Sequence, residues 1–237
     1  MDGIEGVFGL DADAARSVET VPATVLDGTS EVFRRYLRAW SASLDGRHHE
    51  AYRRMDEAIA AVRRSGDAHL HGALVAERAD LALAAGHEPA ALCAEVEAAL
   101  AVAREMPCAR CESQAMCALL LLEDGADPDG VGTARRAVGR AADSGLPLAV
   151  LLSLASLGIE LVRISCIDHA VRLAGAIDAL AGRTGYGNLL AARRRRYEEA
   201  VDRCRSVLSA DHFAAHWADG AALPYTDLLA WATAADS

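Results

Sequence analysis

The chain has 237 residues, 52% hydrophobic and 24% charged, with a formal net charge of −10 at pH 7. That length accommodates one large domain or two small ones around a substantial core, and the acidic balance opposes non-specific attraction to nucleic acid. All 24 basic side chains are Arg, so neither a Walker P-loop nor a pyridoxal-phosphate site, both of which need Lys, can be built.

No apolar run reaches the roughly 18 residues of a membrane span. The opening "MDGIEGVFGL" is acidic, unlike the basic n-region of a secretory signal, and a cytoplasmic location is expected. Six Cys are then expected as free thiols. Neither a G-x-G-x-x-G nor a G-x-S-x-G motif occurs.

Residues 1–28 show little periodicity and read as an N-terminal segment or capping helix. From there glycines fall at a beat: Gly46, Gly66, Gly86, Gly125, Gly145 and Gly185 are spaced at multiples of roughly 20, as in a helical repeat array. Met106-Pro107 and Ser165 take the beats that Gly misses. Pro89, Pro128 and Pro147 follow two or three residues later, in the first turn of a new helix. The segments between are Ala-rich with apolar residues three and four apart, which predicts helices. Paired, they give hairpins at about 29–65, 67–106, 108–145 and 147–185. The first helix presents the stripe Phe33, Leu37, Trp40 and Leu44. The seventh (Leu148, Leu151, Leu152, Ala155, Ile159, Val162) is apolar almost all round and is expected at the centre. Residues 186–237 read as a C-terminal helical cap: a helix with Tyr197, Val201, Cys204 and Leu208 on one face, a short helix over Asp211–Asp219, and a last one after Pro224.

The stretches "AVRLAGAIDALAGRTGY" and "RRRYEEAVDRCRSVLSADHFAAHWADGAALPYTDLLAWA" resemble the C-terminal helical-repeat region of actinobacterial LuxR-type and SARP-type ATPase regulators. Arg172, Leu173, Gly175, Ala176, Ala179 and Leu180 match a first helix of that family; Tyr197, Glu198 and Ala200 match a second; Phe213, Trp217 and Gly220 match a third. The resemblance covers about residues 166–235 and implies an all-α, right-handed, tetratricopeptide-like superhelix of about four antiparallel hairpins, used for sensing and protein contacts. Such regulators carry an ATPase module upstream and, in the LuxR type, a DNA-binding helix-turn-helix downstream. Neither is present here, so the chain reads as an excised sensor region or a stand-alone relative.

Four clusters invite a chemical reading. His212 and His216 sit four apart in "DHFAAHWADG", the spacing with which two imidazoles reach one metal ion. No Glu sits between them as in H-E-x-x-H, and a helix burying Phe213 and Trp217 turns both imidazoles to its flank. A surface role is expected. Cys108 and Cys111 form a C-x-x-C that lacks a second pair, although His69 and His71 could supply nitrogen ligands; packing at a helix seam is favoured over metal. Arg193–Arg196 reads as a solvated face beside Glu198, Glu199 and Asp202, and Glu123–Gly130 as a turn.

What the superhelix resemblance implies for ligands is a concave surface lined by the first helix of each hairpin. There Arg34, Arg38, His71, Arg78 and Gln114 are the candidate ligand-binding residues, and the arginines favour an anionic peptide or carboxylate. The expectation is a non-enzymatic regulatory domain linked to transcription. It binds a protein, peptide or small anionic ligand, uses no cofactor or metal, touches neither nucleic acid nor membrane, and is open to homodimer formation. The competing reading is a small metal- or thiol-dependent enzyme using Cys108/Cys111 or His212/His216.

Overall fold

The computed structural model describes residues 28–125, 127–184 and 191–234. The expected N-terminal segment and the beat at Gly185 lie outside the described residues. The described chain is helical throughout, with no strand. Its elements are α1 (Gly28–Leu44), α2 (His48–Ser65), α3 (Ala68–Ala84), α4 (Ala90–Glu105), α5 (Ala109–Glu123), α6 (Gly130–Asp143), α7 (Pro147–Arg163), α8 (Ile167–Thr184), α9 (Ala191–Val207), α10 (Ala210–Ala221) and α11 (Tyr225–Thr233). Among the described residues no helix is long and apolar enough to cross a membrane.

Consecutive helices from α1 to α8 pack on one another, and α3 also packs on α5, and α5 on α7. The glycine punctuation has a backbone cause. Gly46, Gly66, Gly86, Gly125 and Gly145 all have φ between 69° and 86°, the left-handed conformation that ends a helix and that Gly adopts without steric cost. Ser165 takes the same role at φ 63°. Two starts are capped by oxygen-bearing side chains: Asp67 accepts the Leu70 N–H at 2.9 Å, and Ser209 accepts the His212 N–H at 3.3 Å, each satisfying a donor the first turn leaves unpaired. In α7 every residue from Ala149 to Gly158 is buried, as the all-round apolar pattern predicts.

The last three helices pack on several members of this array. Helix α9 lies across α3, α7 and α8; α10 packs on α8; α11 packs on α6. The sequence suggests instead that α10 is held by burying Phe213 and Trp217 against α9 and α11. Both rings are only half-buried, stacked on each other at 5.6 Å, with the Arg205 guanidinium 5.3 Å from the Phe213 ring. The real anchor is smaller. A Cβ added at Gly220 would collide with the Arg172 carbonyl, and one at Gly175 with the Trp217 carbonyl. The α8 and α10 backbones therefore cross in direct contact, which only glycine permits on either side.

This crossing gives a test. Gly220→Ala and Gly175→Ala should each lose about 2–3 kcal/mol, as overpacked sites do. Gly182→Ala, also on α8 but with nothing within 4 Å of the added Cβ, should gain about 0.5–1 kcal/mol from helix propensity. Urea denaturation of the three variants reads the contrast; a neutral Gly220→Ala would contradict the close crossing.

Candidate functional site

Helix α3 is buried continuously from Gly72 to Ala82, yet that run contains Glu77, Arg78 and Asp80. Charges in such a place must find partners, and each looks to a different neighbour. Glu77, 8% exposed, accepts the Trp40 Nε1–H at 2.9 Å and the Gln114 Nε2–H at 3.1 Å. Burial pushes its carboxyl above the ordinary range, against the opposing pull of the Arg110 guanidinium and its hydrogen bonds from Trp40 and Tyr36. Burial likewise raises the Tyr36 phenol, and the Glu77 charge adds to it. Arg78 turns outward to α2 and α4, bonding Asp56 at 2.9 Å and pairing with Glu95.

Asp80 has no exposed surface. Its two oxygens accept the backbone N–H groups of Ala192 at 3.0 Å and Arg193 at 3.2 Å. It thus caps the first turn of α9 from a helix elsewhere in the chain, satisfying donors that a helix start leaves open. The Arg193 Nε lies 3.6 Å from the same carboxylate. Burial raises the Asp80 carboxyl; Arg193 and the two N–H bonds pull it back down. Arg193 is itself 5% exposed, and its Nη1 has no hydrogen-bond partner. Beside it a cavity of about 30 Å³ is lined by Asp124, Ser156, Glu160 and Arg196 among others, room for one or two waters. Ser113 and Ser153, 2.9 Å apart, continue the buried polar layer between α5 and α7.

The five candidate ligand residues lie on α1 (Arg34, Arg38), α3 (His71, Arg78) and α5 (Gln114). Arg34 is buried against Glu31 at 2.7 Å, and Arg38 is half-buried on the same helix. His71 accepts from Arg63 at 3.0 Å, and burial together with the Arg63 and Arg78 charges holds its imidazole below the usual range. Arg78 is paired as described, and Gln114 belongs to the Glu77 cluster. Sequence reasoning missed Glu77, Asp80 and Arg193. The signal was present: "AERAD" lies inside an apolar Ala/Leu run, where a solvated face has no place to begin. The Arg193–Arg196 run is likewise divided, since Arg193 is buried while Arg196 bonds Asp124 at 2.7 Å.

Among the metal-binding residue types, His212 is exposed and the His216 Nε2 sits 3.5 Å from Asp168 on α8. Among the described residues the pair of His212 and His216 belongs to no trio whose ligand atoms all lie within 4.8 Å of one another. His69, Cys108 and Cys111 form the one such trio among the described residues.

Two outcomes are expected. Asp80→Ala strips the acceptors from α9 and leaves Arg193 buried alone, so it should cost on the order of 3–5 kcal/mol by chemical denaturation. For Glu77 the raised pKa means that the neutral form favours the fold. Its contribution is complete below the ordinary carboxylate range and is lost as pH rises through the raised value. Stability should therefore fall more steeply with rising pH above the ordinary carboxylate range in the parent than in Glu77→Gln; parallel curves would show Glu77 to be unperturbed.

No protein-family model, curated protein or solved structure matches the chain.

Proposed function

We propose that the chain is a non-enzymatic regulatory binding domain, a right-handed, tetratricopeptide-like superhelix whose inner helices α1, α3, α5 and α7 receive a protein or peptide segment, in a system of transcriptional control. One observation carries this reading: α9 is itself a helix seated across α3 and α7, with its N-terminus held by Asp80. The face that a partner is expected to use is thus one on which a helical segment already finds a carboxylate for its N-terminal donors. The link to regulators of the LuxR and SARP types rests on the resemblance of residues 166–235, in which Gly175 and Gly220 are matched positions and also the points where α8 and α10 touch. A small anion is the lesser ligand class, since it has to displace Glu31 from Arg34 or Asp56 and Glu95 from Arg78.

Hydrogen exchange read by mass spectrometry tests the proposal. The full chain is compared alone and mixed with ATPase or helix-turn-helix regulators encoded beside it, with inorganic phosphate and citrate as small-anion probes. A regulator is expected to slow exchange in α1, α3, α5 and α7 and to alter it in α9. Slowing confined to α2, α4 and α6 would place the interface elsewhere. No change with any regulator would overturn the regulatory reading.

A further inference from the structure

The N-terminal turns of α3 and α5 bring three soft ligands to one point. His69 is the second residue of α3, Cys108 caps α5, and Cys111 lies in the first turn of α5. We infer that His69, Cys108 and Cys111 form a binding site for one thiophilic cation, Zn²⁺, whose fourth position is left to water or an incoming ligand.

Geometry is the first support. Zinc holds sulfur at about 2.3 Å and nitrogen at about 2.0–2.1 Å, which sets tetrahedral ligands about 3.5–3.8 Å apart. The trio spans at most 4.8 Å, a difference that small side-chain rotations close. The Cys111 Sγ already approaches the His69 carbonyl at 3.7 Å, so the two turns are in contact without any cation.

Electrostatics is the second. Both helices direct the positive ends of their dipoles at the trio, a setting that favours thiolate. The Cys108 Sγ accepts the Cys111 backbone N–H at 3.3 Å, a bond that also steadies sulfur charge. As two thiols bind a dication as thiolates, two protons leave for solvent, and the charge of the site is unchanged. Access and retention are both provided, because His69 is exposed while Cys111 is buried. Three protein ligands with one open position is the coordination of zinc sites that bind a further molecule.

The test uses the full-length chain, reduced and stripped of metal, titrated with Co²⁺ and then Zn²⁺. Expected are one equivalent of Co²⁺ with a thiolate-to-cobalt charge-transfer band, and displacement by one equivalent of Zn²⁺. Cys108→Ser and Cys111→Ser should each weaken binding by more than the roughly 10–100-fold that loss of an outer-sphere partner causes, and His69→Ala by at least about tenfold. Cys204→Ser, which removes a buried thiol on α9, should leave binding intact, and far-UV circular dichroism should show all four variants folded. If Cys111→Ser does not fold, Cys108→Ser and His69→Ala decide. Absence of the band, equal loss in Cys204→Ser, or re-formation of a Cys108–Cys111 disulfide in place of metal uptake would each overturn the assignment.

Discussion

A carboxylate without exposed surface, placed at the start of a helix from another part of the chain, is the constraint on which this structure turns. Asp80 cannot face solvent and cannot be left alone, because an unpaired buried charge costs several kcal/mol. The open N–H groups of α9 and the Arg193 guanidinium are its remedy. The dependence is mutual, since the first turn of α9 needs acceptors as much as Asp80 needs donors. Placing α9 in this way fixes what lies around it: Arg196 reaches Asp124 at the end of α5, and Tyr197 packs near Gly158 of α7.

Small residues allow the remaining helices to crowd around that point. Ala39, Ala42, Ala51, Ala58, Ala79, Ala82, Ala134, Ala137 and Ala141 are fully buried. Each contributes little apolar area, so cohesion comes from close backbone approach and many weak contacts rather than from a few large anchors. The α8–α10 crossing carries this to its limit, with glycine at both contact points. It also explains how α10, with only Gly220 fully buried, stays attached.

The part of this architecture legible in the sequence is the part written in local conformation. A helix that ends in a left-handed residue marks itself with Gly, and the hairpin limits at Gly66 and Gly145 lie within two residues of the ends of α2 and α6. The partners of α9, α10 and α11 were not legible, because periodicity shows that a helix has an apolar face but not what covers it. Trp217 illustrates the gap: aromatic size suggests an anchor, while the neighbouring Gly220 does the holding. The partners of the candidate ligand residues Arg34 and Arg78 were not legible for a related reason. Position on the first helix of a hairpin says nothing of the Glu or Asp that a neighbouring turn or helix sets against them. His69 with Cys108 and Cys111 falls between these cases. The spacing of one hairpin, 42 positions from His69 to Cys111, predicts adjacency of the two turns; that both sulfurs and the imidazole meet there is known only from the packed structure.

The reach of the Asp80 contact bears on how the chain assembles. From α1 to α8 most packing joins consecutive helices, and such local contacts form quickly because little loop entropy is lost in closing them. The bonds from α9 to Asp80 span 112 and 113 positions and connect the C-terminal cap to the second hairpin, so they close a far longer loop than any contact between consecutive helices. Loop entropy therefore favours docking of α9 after the consecutive helices have paired. A chain with a misplaced hairpin exposes a lone carboxylate and an unfinished helix start, so one aspartate makes completion of the array a condition for closing it.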